Sequence, residues 1–174
     1  MKQLILGGAR SGKSALAQGL AERSGLQVVY IATATAGDAE MAERIRRHQA
    51  DRPVHWQLVE EPLALAEAIE AAAGPDRCIL VDCLTLWLSN LLVAEQSDLE
   101  SRHASLLETV ARVPGHLILV SNETGMGVIP MGELTRRYVD EAGRLHQALA
   151  QRCDRVTLTV AGLPHVLKGE PIEF

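Results

Sequence analysis

Aromatic residues are scarce in this 174-residue chain, since two Trp, two Tyr and one Phe make up only 3% of it. The core must therefore be built from Leu, Val, Ile and Ala. The three cysteines, Cys78, Cys83 and Cys153, form no CxxC motif. Cys78 and Cys83 flank a strand-like run that would hold them about 16 Å apart, too far for a disulfide. We expect buried, reduced thiols in a cytoplasmic protein.

Long apolar runs and an excess of positive charge are also missing. The longest apolar runs fall far below the roughly 20 residues that cross a bilayer, and the N-terminus lacks the apolar region of a secretory signal. The net charge of −5 argues against a nucleic-acid partner. These absences predict a chain with no integral membrane segment. A length of 174 residues suits a single domain spanning 1-174.

Short β-type runs alternate with helical stretches, without repeats or linkers. Continuous apolar runs such as 79–81 and 117–120 indicate strands that are covered on both faces. The alternation predicts an α/β fold with a mostly parallel sheet and helices on both faces. The predicted strands are Gln3–Leu6, Gln27–Ile31, Trp56–Val59, Cys78–Val81, His116–Val120 and Arg155–Val160, and the predicted helices are Lys13–Arg23, Ala39–Ala50, Leu63–Ala73, Leu84–Val93, Leu99–Val113 and Glu133–Gln151.

The strongest local motif lies between the first strand and the first helix and fits G-x-x-x-x-G-K-[ST]. Glycines let backbone N–H groups approach phosphate oxygens, the lysine contacts the β- and γ-phosphates, and the hydroxyl binds Mg²⁺. We therefore expect a P-loop, with Lys13 catalytic and Ser14 a metal ligand. The alternative is a glycine-rich turn with a solvated lysine. The nucleotide-binding residues of the motif are Gly7, Gly8, Ala9, Arg10, Ser11, Gly12, Lys13 and Ser14.

An acidic residue at the end of a neighbouring strand usually holds the Mg²⁺ of a P-loop. Asp82 follows the apolar run 78–81 and is the better candidate for this role and for nucleotide binding; the run 117–123 is the second candidate. Asp82 could instead cap the helix that follows, and the two roles are compatible.

A basic cluster surrounds His48. Arg44, Arg46, Arg47 and Arg52 stand close to it in an otherwise acidic chain. Such arginines suit a polyphosphate and a histidine that receives a phosphoryl or nucleotidyl group. The alternatives are a histidine at the edge of the core, since Met41 and Ile45 share its helical face, and arginines on a solvated face.

Several further segments complete a pattern that resembles the bifunctional adenosylcobinamide kinase/adenosylcobinamide-phosphate guanylyltransferase family. The resemblance runs in order from the first strand to near Gly162. The segments at 44–53 (R-I-x-x-H-x-x-x-R-P) and 121–130 (S-N-E-x-G-x-G-x-x-P) are more specific than the P-loop. The other matching segments are 30–34, Trp56, 81–85 and 90–92.

The resemblance implies two reactions. ATP or GTP phosphorylates adenosylcobinamide, a corrinoid; GTP then gives GMP to that phosphate through a guanylyl-histidine intermediate on His48, which yields adenosylcobinamide-GDP and pyrophosphate. It also implies a homotrimer with a RecA-like sheet. Asn122 and Glu123 remain unassigned, facing either the corrinoid or the metal. The further nucleotide-binding positions that it implies are Thr33, Ala34, Thr35, Arg52, Pro53 and Glu60.

Two other functions fit parts of the sequence. A simple small-molecule P-loop kinase explains the P-loop and Asp82 but leaves His48 without a role. A nucleotide-responsive binding module would use the segment 125–130 as a switch.

Overall fold

The computed structural model describes residues 1–35, 43, 46, 53–94 and 98–172. Strands and helices alternate through these ranges, as the sequence pattern predicts. The strands are β1 (Lys2–Gly7), β2 (Gln27–Ala32), β3 (Gln57–Glu60), β4 (Arg77–Asp82), β5 (His116–Asn122), β6 (Arg155–Val160) and β7 (Leu163–Lys168), and the helices are α1 (Lys13–Arg23), α2 (Leu65–Ala72), α3 (Leu84–Val93), α4 (Leu99–Arg112) and α5 (Glu133–Arg152).

The strands form one sheet in the order β3-β2-β4-β5-β1-β6-β7. Every neighbouring pair is parallel except β6 and β7, which pair antiparallel. Strand β5 lies between β1 and β4, and its partners place Asn122 opposite Gly7. The carboxyl ends of six strands therefore lie along one edge of the sheet, where ligands bind in open α/β folds.

Both faces of the sheet are covered. Ile79 and Val81 of β4 belong to the larger core cluster, which includes residues of α2 to α5. Cys78 and Leu80 alternate with them and belong to a second cluster with Ala17 of α1. The α/β prediction is therefore confirmed, and the continuous apolar runs have the two-sided burial that they indicated.

The helix predicted to begin at Leu63 begins instead at Leu65. The Glu61 carboxylate accepts hydrogen bonds from the backbone N–H groups of Leu63 (2.9 Å) and Ala64 (2.8 Å), so these residues form a capped turn ahead of the helix. The predicted helix Ala39–Ala50 lies outside the described residues apart from Glu43 and Arg46, which are both helical. No helix in the described ranges is long and apolar enough to span a membrane.

Strand β7 is absent from the sequence prediction. Most of its residues are exposed on the edge of the sheet, so it lacks the buried apolar run that marks the other strands. A two-residue turn joins it to β6, with positive φ at Ala161 (52°) and Gly162 (79°). This is the turn geometry that matches the twist of a hairpin.

Candidate active site

The predicted P-loop connects the end of β1 to the start of α1 in a closed turn. The backbone N–H of Ser11 donates to the Gly8 carbonyl (3.2 Å), and that of Leu16 donates to the Gly12 carbonyl (3.0 Å). Gly12 precedes the helix with φ 94°, a conformation that glycine adopts without a steric penalty. The loop thereby leads directly into a helix N-terminus, which favours anions through its free N–H groups and its dipole.

The β6–β7 hairpin supports this loop from behind. Gly162 in the hairpin turn donates its N–H to the Ser11 carbonyl at 2.8 Å. A Cβ on Gly12 would lie 3.0 Å from the Gly162 Cα, and a Cβ on Gly7 would lie 2.6 Å from the Thr159 carbonyl oxygen. Two glycines of the motif are therefore needed for packing against β6 and the hairpin, in addition to any contact with a phosphate.

The Lys13 side chain folds back over the loop, where its Nζ donates to the Gly8 carbonyl at 3.3 Å. Its charge also reaches the Cys83 thiol, whose pKa is raised mainly by burial and lowered slightly by Lys13. Lys13 and Ser14 are both partly buried, in the first turn of α1. A lysine in this position is already held at the loop before a nucleotide arrives.

Asp82 ends β4 two strands away from β1. Its Oδ2 accepts a hydrogen bond from the Tyr30 hydroxyl at 3.2 Å. The Trp56 ring lies against Tyr30, with ring centroids 6.5 Å apart. The α3 helix begins at Leu84, with Cys83 rather than Asp82 as its N-cap residue and without a side-chain capping bond. The alternative prediction that Asp82 caps this helix is therefore wrong, and its carboxylate is oriented by β2.

The three residues predicted after β2 differ in what they can offer a ligand. Thr33 is fully buried, and its hydroxyl donates to the Cys83 carbonyl (2.7 Å) and accepts from the Cys83 N–H (3.0 Å). Ala34 is half-buried, and Thr35 is exposed with its hydroxyl 3.4 Å from the Asn90 Oδ1. The Thr33 side chain thus joins β2 to β4, which leaves Thr35 as the more accessible side chain.

An open groove of about 370 Å³ begins at Thr35. Asn90 lies in its wall and donates through Nδ2 to the carbonyls of Thr33 (2.8 Å) and Pro62 (3.1 Å). The groove follows the part of the sheet edge that leads from β4 toward β3. Its lining residues are Thr35, Pro62, Leu63, Ser89, Asn90, Val93 and Ala94.

The remaining predicted residues lie at the far end of this edge or outside the described ranges. Glu60 ends β3 and is exposed, and Pro53 is half-buried ahead of that strand. At about 4.8 Å per strand, the end of β3 lies about 19 Å from the end of β1. His48 and Arg52 lie outside the described residues. The sheet order thus places Asp82 midway between the P-loop and Glu60, about 10 Å from each along this edge.

Sequence reasoning missed a buried polar cluster beside the end of β5. The Ser121 hydroxyl lies 2.7 Å from the His146 Nε2, and both side chains are buried. Burial lowers the pKa of His146, and the negative charge of Glu123 partly offsets this effect. Tyr138 of the same helix also lies near Glu123, and burial raises its pKa to about 12. Ser121 and Glu123 belong to the segment 121–130, but no sequence pattern marks their partners in α5, because the cluster depends on how α5 packs against β5.

Unpartnered oxygen atoms also surround the phosphate loop. Within the described ranges, the buried side-chain oxygens of Ser11, Asn122 and Thr159 have no hydrogen-bond partner. No group of three or more His, Cys, Asp or Glu side chains in these ranges forms a metal cluster. A metal ion here would depend on a few oxygen ligands and on the phosphates of a bound nucleotide.

All three cysteines are buried and form no disulfide, as the sequence predicts. Burial raises the pKa of Cys153 to about 12 and that of Cys78 and Cys83 in the same direction. These thiols are therefore protonated at neutral pH and unsuited to act as nucleophiles.

Comparison of folds gives two informative similarities. A protein of Pyrococcus horikoshii OT3 matches with a TM-score of 0.59 and 10% identity, over 98% of this chain and 87% of that one. The RadB recombinase matches with a TM-score of 0.53 and 16% identity, over 90% of this chain and 73% of its own. At these identities the likeness concerns the fold alone, and it agrees with the predicted RecA-like sheet.

Sequence comparison identifies much closer relatives. A Pseudomonas aeruginosa protein named "Bifunctional adenosylcobalamin biosynthesis protein CobP" is 63% identical over 173 residues, which cover 99% of this chain and all of the relative. Proteins named "Bifunctional adenosylcobalamin biosynthesis protein CobU" are 39% identical in Escherichia coli and 40% identical in Salmonella typhimurium, over 94% of this chain and 97% of each relative. These relatives favour the bifunctional enzyme over the simple kinase.

The family model described as "Cobinamide kinase / cobinamide phosphate guanyltransferase" matches residues 3–167, which include the whole P-loop and every strand in the described ranges except the first residue of β1 and the last of β7. The resemblance predicted from the sequence motifs is thereby confirmed, and the chain belongs to the cobinamide kinase / cobinamide phosphate guanyltransferase family.

Proposed function

We propose that one domain, residues 1-174, performs two successive transfers. ATP or GTP first phosphorylates the hydroxyl of the aminopropanol arm of adenosylcobinamide. GTP then transfers GMP to that phosphate, which gives adenosylcobinamide-GDP and pyrophosphate. The observation that carries this proposal is the closed phosphate loop at the end of β1, with Lys13 already folded over it.

In this proposal, the loop holds the triphosphate in both reactions. The backbone N–H groups of residues 7–12 and the N-terminus of α1 bind the phosphate oxygens. Lys13 offsets the charge that develops on the leaving group, which is a nucleoside diphosphate in the first reaction and pyrophosphate in the second. Because Lys13 needs only to turn away from the Gly8 carbonyl, the loop requires little rearrangement to bind a nucleotide.

The oxygen donors near the loop fit Mg²⁺. This ion prefers oxygen ligands and is usually held by one or two carboxylates together with substrate phosphates and water. The Ser14 hydroxyl and the Asp82 carboxylate supply such donors, and the Tyr30 hydroxyl orients Asp82. When bound, Mg²⁺ would neutralise part of the charge on the phosphates.

The nucleoside extends from the loop along the sheet edge toward β2 and β3. Thr33, Ala34 and Thr35 follow β2, and Glu60 ends β3. The groove at Thr35 supports this direction, since it opens between the two sets of predicted residues. Arg52 and Pro53 complete the proposed nucleotide site.

His48 is the proposed nucleophile of the second transfer. A neutral imidazole nitrogen attacks the α-phosphorus of GTP and forms an N–P bond, while the bond to the pyrophosphate oxygen breaks and pyrophosphate leaves. An oxygen of adenosylcobinamide phosphate then attacks the same phosphorus and releases His48. The covalent route divides one difficult transfer into two displacements.

The experiment that tests this function is incubation with α-labelled GTP and Mg²⁺, followed by denaturation. The wild-type protein should carry an acid-labile, base-stable label, and His48→Ala should carry none. His55→Ala is the matched control, because His55 is an exposed histidine that follows His48 closely in the sequence and has no proposed role. Absence of label on the wild type, or label retained in His48→Ala, would contradict the guanylyl-histidine route.

We also propose that the enzyme is a cytoplasmic homotrimer with active sites near the subunit boundaries. Exposed apolar side chains on the connection between β5 and α5 support an assembly, since Met126, Val128, Ile129 and Met131 are 76%, 95%, 78% and 97% exposed. Sedimentation velocity should show a single trimeric species. A monomer at micromolar concentration would contradict this part of the proposal.

A further inference from the structure

Four carboxylate side chains stand at the carboxyl ends of the parallel strands in the described ranges: Glu60, Glu61, Asp82 and Glu123. The sheet order sets their distances from the phosphate loop. At about 4.8 Å per strand, the backbone of Glu60 lies about 19 Å from the end of β1, that of Asp82 about 10 Å and that of Glu123 about 5 Å. Glu123 is therefore the closest carboxylate to the loop along this edge.

The backbone of Glu123 is fixed directly to the loop. Its N–H donates to the carbonyl of Gly7, the first residue of the phosphate motif, at 3.0 Å. Its side chain is half-buried, and Oε1 accepts the N–H of Gly125 at 2.5 Å. In the described ranges, the second oxygen, Oε2, has no hydrogen-bond partner. One lone acceptor is thus held beside the site of the terminal phosphates.

Glu123 faces the side of the sheet opposite to α1. Its charge acts on Tyr138 and His146, which both belong to α5. The phosphate loop leads into α1, which packs on the other face with the second core cluster. A nucleotide bound at α1 therefore leaves the Glu123 side open to the molecule that receives the phosphoryl group.

The two reactions differ in what they require of the acceptor. The first acceptor is an alcohol, which holds its proton about as tightly as water does, so that its pKa lies far above neutral pH. The second acceptor is a phosphate monoester, whose second pKa is about 6, so that it is already ionised at neutral pH. Only the first reaction needs a group that removes a proton.

We propose that Glu123 is the general base of the kinase reaction and has no part in guanylyl transfer. This inference rests on the proposed function. The acceptor hydroxyl gives its proton to Oε2 of Glu123, and its oxygen forms a bond to the γ-phosphorus. The bond between that phosphorus and the β–γ bridging oxygen breaks, and its electron pair leaves with the nucleoside diphosphate. Glu123 then releases the proton to water.

The experiment compares wild type and Glu123→Gln in three assays: phosphorylation of adenosylcobinamide with saturating ATP or GTP, labelling of the enzyme by α-labelled GTP, and GMP transfer to preformed adenosylcobinamide phosphate. The kcat of phosphorylation should fall by about 100- to 10,000-fold, the usual contribution of a general base. The KM for the nucleotide, the labelling and the GMP transfer should stay within about threefold of wild type. Gln keeps an Oε1 that accepts the Gly125 N–H, so the local fold is preserved.

Two variants make the comparison sharper. Glu133→Gln is the matched control, because Glu133 is an exposed glutamate at the start of α5 and has no proposed role; it should match wild type in all three assays. Glu123→Asp keeps a carboxylate on a shorter side chain and should recover part of the kinase activity that Glu123→Gln loses.

Two results would overturn the inference. The first is a phosphorylation kcat of Glu123→Gln within tenfold of wild type. The second is an equal fall of activity in all three assays, which would mean that Glu123 stabilises the nucleotide site instead of removing a proton. A wild-type protein that is inactive in all three assays would instead overturn the proposed function, and this inference with it. The two failures are thus distinguishable.

Discussion

The first two glycines of the phosphate motif should respond very differently to alanine. A Cβ on Gly7 would lie 2.4 Å from the Ser11 Oγ and 2.6 Å from the Thr159 carbonyl oxygen, whereas a Cβ on Gly8 would meet no atom within 4 Å. The Ser11 hydroxyl can rotate, but the Thr159 oxygen belongs to the backbone of β6, which pairs with β1 at this point. The two strands must separate locally to reach ordinary contact at 3.4 Å or more.

The size of the effect follows from this overlap. Overpacking of a filled interior costs about 1–3 kcal/mol in the free energy of unfolding. For a chain of this length, each kcal/mol lowers the melting temperature by roughly 2–4 °C, so Gly7→Ala should melt about 2–12 °C below wild type. Gly8→Ala should unfold like wild type or be up to about 1 kcal/mol more stable, because alanine restricts the unfolded chain.

Urea unfolding followed by tryptophan fluorescence measures both variants, since Trp56 and Trp87 are buried in the folded chain. The assay contains no nucleotide, so any role of Gly8 in phosphate binding cannot affect it. Equal unfolding free energies for the two variants would refute the packing argument.

Three further outcomes are expected. Lys13→Ala should impair phosphorylation and labelling of His48 together; intact labelling would show that the reactions do not share the loop. Trp87→Phe should lose about 1–3 kcal/mol more unfolding free energy than Trp56→Phe. The Trp87 Nε1 donates to the Leu63 carbonyl at 2.9 Å, whereas the buried Trp56 Nε1 has no hydrogen-bond partner in the described ranges. Equal losses in urea unfolding would contradict this prediction. Burial raises the pKa of Cys153 in the folded protein from 9.0 to about 12. The stability that this thiol contributes is therefore present below pH 9 and is lost as the pH rises toward 12, because the unfolded chain loses the proton first. When the pH is raised from 8 to 10, the unfolding free energy of Cys153→Ala should fall less than that of wild type, and equal falls would refute the raised pKa of Cys153.

Local sequence patterns were sufficient to predict most of the strands and helices and the phosphate loop at the centre of the candidate site. The apolar run 78–81 predicted a strand buried on both faces, and the glycine motif after β1 predicted the phosphate loop. Both depend on residues that are neighbours in the chain, and for such residues side-chain pattern and backbone conformation are closely linked. The same holds for Asp82, which comes directly after its strand.

The rest depends on contacts between distant segments. The strand order that places β5 between β4 and β1 cannot be deduced from the strands themselves, so the sequence did not reveal that Glu123 binds Gly7. The Tyr30 hydrogen bond to Asp82 and the Ser121–His146 pair arise in the same way from tertiary packing. Strand β7 was not predicted, because most of its residues are exposed at the sheet edge and the sequence there has no run of buried apolar residues.

The position of β1 in the sheet also bears on synthesis. Among the strands in the described ranges, β1 is synthesised before the others, yet both of its partners, β5 and β6, begin more than a hundred residues later. The hairpin turn that supports the phosphate loop is made later still. The nascent chain therefore exposes its phosphate loop before the partners of β1 are made and completes it only after the residues up to Gly162 have emerged, and such long-range pairing slows folding. A truncated translation product that ends before Gly162 would carry the full P-loop motif without the backbone support that shapes it.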